Sequence, residues 1–338
     1  MCAMTPKERF LRALYRERVD RIPVGNPTSV ATVESMEACG AYFPDVHLDP
    51  EKMARLAATG YEILGFDTIA PYFSVQQEAA AFGLKVDWGT IDTMPDVLEN
   101  PYEDPEEIVV PDDFLDRPPV RTVIEALRIL KKEYGDHVCL VGKVMGPWTL
   151  SYHLHGVQNF LVKTILDPDK VRRFLDKLKS VSVMFANAQF DAGADVVTFA
   201  DHATGDLVSA ACYRDFLLPI HQEVTREIKG PTILHICGDT TDRLEYIAQA
   251  GFTCFHFDSK VNPRTAHEIV NGRISLTGSI NNPQTLLNGT PEDVRREVFL
   301  NCEAGIEIIS PECAIPLRTP NENLKAIVAA VEEYCRTH

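Results

Sequence analysis

Pro231-Thr-Ile-Leu-His-Ile-Cys-Gly-Asp239 reads as a short buried strand, Thr232 to Cys237, stopped by Gly238. Alternate side chains along a strand share a face, so His235 and Cys237 point the same way from its end. Imidazole and thiolate are donors that borderline-soft zinc prefers. A third such donor, Cys313, stands in Ile308-Ile-Ser-Pro-Glu-Cys-Ala-Ile-Pro316, again just after a short apolar strand. Two donors on one strand end and one on another suggest three ligands with an open fourth position, the catalytic rather than the structural zinc pattern. His-x-Cys is a short pattern, however. The plain alternative is a polar strand end beside one of nine scattered cysteines, many of them small buried hydrophobes.

Outward from this stretch the chain alternates strands and helices. Strands are expected over Arg21–Gly25, Phe66–Ala70, Val138–Gly142, Asp195–Ala200, Thr232–Cys237, Thr253–Asp258, Ile274–Gly278 and Gly305–Ile309. The helices between them announce their starts. Thr5-Pro6-Lys7-Glu8 and Thr319-Pro-Asn-Glu322 read as capping boxes with proline at the first helical position. Asp49-Pro50 and Asn262-Pro263 open others, Thr290-Pro-Glu-Asp293 another, and Asp239 is expected to cap the helix after the His235 strand. After Asp167-Pro168, Val171, Phe174, Leu178, Val181, Phe185 and Ala188 mark one buried helix face, closed by Gly193. Such alternation means a parallel sheet. Eight units favour a single (β/α)8 TIM barrel over residues 1–338, with an N-terminal helical extension; an open doubly wound sheet is the second choice. Residues from about Phe82 to Pro119 break the rhythm. They hold Trp88, six prolines and the acids Glu103, Asp104, Glu106 and Glu107. They read as an insertion after the second strand, with a hairpin near Leu84–Trp88, either over the barrel mouth or as an exposed acidic excursion.

In a barrel of this kind the active site lies at the carboxyl ends of the strands. His235, Cys237, Asp201, Asp258 and Cys313 all map there, and this convergence strengthens the metal reading. Cys254 and His256 share parity with Asp258 and could supply an extra ligand, but a buried thiol and a satisfied core histidine is the preferred reading. The chain carries 33 basic and 49 acidic residues, a net charge of −16, which argues against nucleic acid and anionic membrane surfaces as partners. It has no run of about 18 apolar residues. The N-terminal stretch has no apolar signal core, and the cysteines lack tight framework spacing. Reduced thiols and a cytoplasmic location are expected.

These residues resemble the uroporphyrinogen decarboxylase superfamily, and within it the zinc-dependent methylcobalamin:coenzyme M methyltransferases and their bacterial relatives. The resemblance spans nearly the whole chain. It is carried by Thr5-Pro-Lys-Glu-Arg-Phe-Leu-Arg-Ala-Leu14, Val19-Asp-Arg-Ile-Pro-Val24, Gly146-Pro-Trp-Thr-Leu150, Leu234-His-Ile-Cys-Gly238, Gly278-Ser-Ile-Asn281 and Thr319-Pro-Asn-Glu-Asn-Leu324. It implies that His235, Cys237 and Cys313 hold Zn2+, and that Asp201 matches the acid ending the superfamily's fourth strand. The decarboxylases carry an Arg-Gln-Ala-Gly-Arg-Tyr stretch after the first strand; this chain has Gly25-Asn-Pro-Thr-Ser-Val30 there, with no arginine for substrate carboxylates. Glu312 and Lys143 depart from the pattern, placing charges near the pocket and leaving the acceptor open.

The implied reaction moves a methyl group from methylcobamide on a partner corrinoid protein to a zinc-activated thiol such as coenzyme M. Asp201 and Asp258 are the candidate catalytic residues. Lys143 and Arg318, with Lys260, are candidates for an acceptor sulfonate, against ordinary solvated charges. Glu78 reads as either a pocket acid or a helix-surface charge, with the latter preferred. The alternatives are another thiol or a tetrahydrofolate as acceptor, a metal-free tetrapyrrole decarboxylase, or a corrinoid-protein partner without turnover.

Overall fold

The computed structural model describes residues 3–338. The strands are β1 (Thr68–Ile69), β2 (Val86–Asp87), β3 (Asp96–Val97), β4 (Cys139–Met145), β5 (Val196–Ala200), β6 (Thr232–Ile236), β7 (Cys254–Phe257), β8 (Ser275–Ile280) and β9 (Ile308–Pro311). Seven form one parallel sheet in the order β1-β4-β5-β6-β7-β8-β9. The order never reverses, so the doubly wound alternative, which needs a switch point, does not hold.

The expected first strand, Arg21–Gly25, is only a bridge. Val24 pairs with Ile309. The Gly25 amide donates to the Ile309 carbonyl (3.1 Å), and the Ile309 amide to the Pro23 carbonyl (3.0 Å). On its other side the Asp67 amide donates to the Val24 carbonyl at 2.6 Å. Both edges of the sheet thus bond to the same three residues, and the sheet is curled. Pro23 has no amide hydrogen to extend the ladder, which explains the shortness of this segment.

Helix Pro6–Leu14 starts with the expected capping box at Thr5 and Glu8. It buries Phe10, Ala13 and Leu14 against Ala70, Cys139, Val141, Val196, Ile233, Cys254 and Ile308. Apart from Ala70, which follows β1, those partners sit low on their strands, so the helix plugs the amino end of the sheet. Asp67, 1% exposed, ties this end together. Its carboxylate accepts from Arg9 Nη1 (2.6 Å), Arg21 Nη1 and Nη2 (2.9 and 3.1 Å) and the Val24 amide (2.8 Å).

Helix Pro168–Ala192 buries Val171, Phe174, Leu178, Val181 and Phe185, and Gly193 ends it, as expected. Thr319 does not cap the last helix, Asn321–Thr337. Glu34 accepts the Asn321 amide instead (3.0 Å), and the Thr319 hydroxyl is buried without a partner. After Asp239 only two short turns form, Thr241–Arg243 and Leu244–Ile247. The excursion does hold a hairpin, β2 against β3, displaced toward Asp96–Val97. Its acids are clamped rather than free: Asp104 pairs with Lys170 and Glu106 with Arg173. Trp88 stacks on His47 with 5.4 Å between centroids. No helix of the described residues is long and apolar enough to cross a membrane.

Removing one member of a buried ion pair leaves the other charge uncompensated. Asp67→Ala is expected to cost about 3–5 kcal/mol, read as a lowered urea midpoint. An unchanged midpoint would show that the curl does not depend on this carboxylate.

Candidate metal centre

Strand parity lifts the inward side chains from the apolar plug into a polar layer. Two residues beyond Val141, Val196, Ile233, Cys254 and Ile308 stand Lys143, Thr198, His235, His256 and Ser310, all buried. His235 Nε2 lies 3.1 Å from Cys237 Sγ and 3.4 Å from Cys313 Sγ, and the two sulfurs are 3.1 Å apart. The three donors expected from sequence therefore meet.

Each is held by its neighbours. Gly238 turns the chain after Cys237 at φ +80°, and a Cβ there would lie 2.1 Å from Thr204 Oγ1 and 2.7 Å from Asp206 Oδ2. The Gly238 amide donates to Asp258 Oδ2 (2.8 Å). Cys313 follows β9. Its carbonyl accepts from Asn26 Nδ2 (3.1 Å), and the adjoining Glu312 carboxylate accepts the Ser259 and Asn282 amides (3.1 and 2.8 Å).

Burial holds His235 well below the usual imidazole range, helped by His256 and His202, so its lone pair is free. The thiols share one hydrogen bond. It pulls Cys313 below the ordinary thiol value and, with burial, pushes Cys237 well above it. Cys313 is the thiol to ionise first, because the Lys143 cation also favours its thiolate. The donor set suits zinc. Tetrahedral Zn–S and Zn–N bonds separate donors by roughly 3.3–3.8 Å, so an opening of a few tenths of an ångström accommodates the ion. His235 Nδ1 is buried without a partner, as is Nδ1 of His256, whose ring lies 4.5 Å from that of His235.

The sequence reading passed over His202. Its ligand nitrogen, that of His235 and the Cys237 sulfur all lie within 4.8 Å of one another. The available signal was a third histidine at a strand's carboxyl end. Asp201 is fully buried and already engaged: Oδ1 accepts the Thr149 amide (2.8 Å), and Oδ2 meets His221 Nε2 (3.1 Å). It anchors the start of helix Pro147–His155. A Cβ at Gly146 would lie 2.3 Å from Asp201 Cγ, which explains the glycine of Gly146-Pro-Trp-Thr149. Asp258 is likewise engaged, by the Gly238 and Lys260 amides (2.8 and 2.9 Å).

Lys143 lies inside β4, 3% exposed, with Nζ 4.5 Å from the Tyr72 ring centroid. Burial brings its pKa down to about 8, while Cys313 and Glu78 pull it up. Glu78 is not a surface charge. It is fully buried, accepts the Met145 amide at 2.8 Å and bonds the Tyr72 hydroxyl, and burial raises its pKa. Arg318 is exposed and paired with Asp92 of the excursion, and Lys260 with Asp206, so neither is brought into the donor cluster. Cys254 is core, and His256 Nε2 is bonded to the Pro311 carbonyl (2.8 Å).

The fold and site define a parallel α/β protein with a His–Cys–Cys cluster at the carboxyl ends of its strands. The family model described as uroporphyrinogen decarboxylase (URO-D) matches residues 5–334. A methylated-thiol–coenzyme M methyltransferase of Methanosarcina mazei is 36% identical over 98% of this chain and 90% of its own length. The methylcobamide:CoM methyltransferase MtaA of Methanosarcina barkeri is 34% identical over 99% of both. The solved structure of a methyltransferase from Methanosarcina mazei superposes with a TM-score of 0.95 at 35% identity, covering 98% of this chain and 99% of that one. The chain belongs to the uroporphyrinogen decarboxylase family, as its motifs led us to expect.

A side chain at position 238 is strained by the positive φ alone. Gly238→Ala is expected to cost about 1–3 kcal/mol, seen as a lower melting temperature. An unaltered melting temperature would show that the turn after Cys237 does not depend on glycine.

Proposed function

We propose that this chain is an enzyme that transfers a methyl group from a methylated corrinoid to coenzyme M. The observation that carries this reading is the meeting of His235, Cys237 and Cys313 within 3.1–3.4 Å. It is supported by full-length relatives named as methylcobamide and coenzyme M methyltransferases. His235, Cys237 and Cys313 would hold zinc, which when bound keeps a coordinated sulfur in its thiolate form at neutral pH. His235 contributes a neutral nitrogen, and the two cysteines contribute negative charge that favours a nucleophilic sulfur. Asp258 and Glu312 fix the loops carrying Cys237 and Cys313, and Asp201 fixes the segment that precedes the mouth. Lys143 receives the acceptor's sulfonate from within the sheet, and Arg318 belongs to the outer rim.

In this reading Pro23–Gly25 is the eighth stave of a closed (β/α)8 barrel, and residues 1–338 form one domain with an insertion at 82–119. The methylcobamide is carried by a separate corrinoid protein, in keeping with relatives that are named for methylcobamide as a substrate. Thiol ligands require a reducing compartment, which favours the cytoplasm.

The test is zinc content together with methyl transfer from methylcobalamin to coenzyme M. One zinc per chain is expected in the wild type. Cys237→Ala and Cys313→Ala should lose the metal and lower turnover at least about 100-fold. A wild type without zinc after chelator-free purification, or variants that keep full activity, would sink the reading. For Lys143→Met, KM for coenzyme M should rise while KM for the uncharged thiol 2-mercaptoethanol stays nearly constant. Lys143 is charged below its pKa of about 8 and neutral above it. The wild type's preference for coenzyme M over the neutral thiol should therefore fall as pH rises through about 8, and that fall should vanish in the variant. A preference independent of both pH and Lys143 would remove this residue from the acceptor site.

A further inference from the structure

Cys237 Sγ and Cys313 Sγ stand 3.1 Å apart. A disulfide closes at about 2.05 Å, so roughly 1 Å of side-chain movement separates the two thiols from a covalent bond. Neither cysteine lies within a strand, since β6 ends at Ile236 and β9 at Pro311. The sulfurs can therefore close on each other without breaking a bond of the sheet. Both cysteines are partly exposed, which gives a small oxidant access to them. The other thiols are placed differently. Cys139, Cys254 and Cys302 are buried, and Cys39, Cys212 and Cys335 are partly exposed. Among the described residues, Cys237 and Cys313 are the only two cysteine sulfurs in hydrogen-bonding contact with each other. The distinction matters for the product of oxidation. A cysteine oxidised alone proceeds toward sulfinic acid, which thiols do not reverse, whereas one beside a second thiol is captured as a disulfide.

We propose that Cys237 and Cys313 form a reversible oxidation site, at which a hydroperoxide links the two sulfurs and the metal is expelled. This inference rests on the zinc reading above. One sulfur takes an oxygen from the peroxide as the O–O bond breaks, giving a sulfenic acid and, for hydrogen peroxide, one water. The second sulfur then attacks the first. The S–S bond forms, the S–O bond breaks, and the oxygen leaves as a second water. From the two zinc-bound thiolates, one hydrogen peroxide and two protons are consumed, and two electrons pass from the sulfurs to the peroxide. The metal is released as the free divalent ion. Thiolates are metal ligands and a disulfide is not, so closure removes two of the three donors and leaves His235 alone. A dithiol reverses the change by being oxidised in its turn to a cyclic disulfide, which returns both thiols to the site. The protein is thus turned off by oxidant without permanent loss of its donors.

The test uses the full-length, zinc-loaded protein and hydrogen peroxide. Released zinc is followed with a chromophoric chelator, and disulfide-linked peptides are mapped by mass spectrometry without reduction. We expect zinc release and a single linked peptide, joining Cys237 to Cys313, to rise together until the metal is gone. Dithiothreitol followed by added Zn2+ should restore both the metal content and methyl transfer to coenzyme M. Cys212→Ala, which alters a partly exposed cysteine outside the cluster, should respond as the wild type does. Every other readout is made on the wild type, so none depends on a variant that must fold. Zinc release accompanied by sulfinic acids and no linked peptide, linkage to a different cysteine, or zinc retained after the pair is joined would overturn the proposal and leave the donor trio intact. Peptide mapping is read independently of the metal. A wild type that holds no zinc, yet still joins Cys237 to Cys313, would overturn the zinc reading and the release step while keeping the pairing of the thiols.

Discussion

Side chains two residues apart on a buried strand share a face, and in this sheet that rule separates an apolar floor from an ionisable ceiling. Val141 and Lys143, Val196 and Thr198, Ile233 and His235, Cys254 and His256, and Ile308 and Ser310 are successive inward positions of five neighbouring strands. The lower member of each pair packs on Phe10, Ala13 and Leu14. The upper members cannot turn away, because a strand offers only two faces and the outer one is covered by helices. A one-residue slip of β4, β6 or β7 would drive Lys143, His235 or His256 into the helix layer and an apolar side chain into the pocket. The register that buries the floor is therefore the register that assembles the site.

What the sheet gathers, carboxylates then fix. Glu78 accepts the Met145 amide, Asp201 the Thr149 amide, Asp258 the Gly238 amide, and Glu312 the amides of Ser259 and Asn282. Each bond joins a strand end to the loop of another strand or helix. Hydrogen bonds to charged groups contribute about 1.5–3 kcal/mol each, more than neutral ones. They act where the regular ladder has ended and the chain would otherwise be free to move. This explains why so many acids collect at the carboxyl face without touching the donors. Each carboxylate accepts at least one backbone amide, and those of Asp258 and Glu312 lie beside the turn that carries Cys237 and the segment that carries Cys313.

The alternation of strands and helices was legible because helix starts are local events. Thr5, Asp49, Asn262 and Thr290 cap helices whose next residue is proline, and neither feature needs tertiary information. The donor trio was legible for a similar reason, since two of its members lie on one strand and parity joins them. Thr319 carried the same local signal and failed, because Glu34 from a distant helix reaches the Asn321 amide first. Arg21–Gly25 shrank to a bridge because Pro23 cannot donate. Glu78 was misread because Gln77–Ala81 is a five-residue helix, too short to show which face is buried. Its burial depends on Tyr72 and Met145, which only the folded chain brings near. Asp201 and Asp258 were found by position at strand ends, a signal that cannot tell a reacting carboxylate from one that caps a backbone amide. His202 escaped for the same reason in reverse: it sits one residue past the acid that drew attention.

Lys143 carries the remaining argument. Burying an ammonium costs several kcal/mol unless a partner of opposite charge is near. Here the cation faces the Tyr72 ring at 4.5 Å and feels Glu78 and Cys313, yet among the described residues it forms no ion pair of its own. Tyr72 already binds Glu78, so that carboxylate is only half available to the lysine. The protein as a whole is strongly acidic, at a net −16, so this buried cation lies in a molecule whose overall charge is of the opposite sign. The lysine lowers the pKa of Cys313 while Cys313 raises that of the lysine. Thiolate ligation of a metal and retention of the ammonium are therefore mutually reinforcing. The ammonium and the thiolate thus stabilise each other through a single electrostatic contact within the polar layer of the sheet.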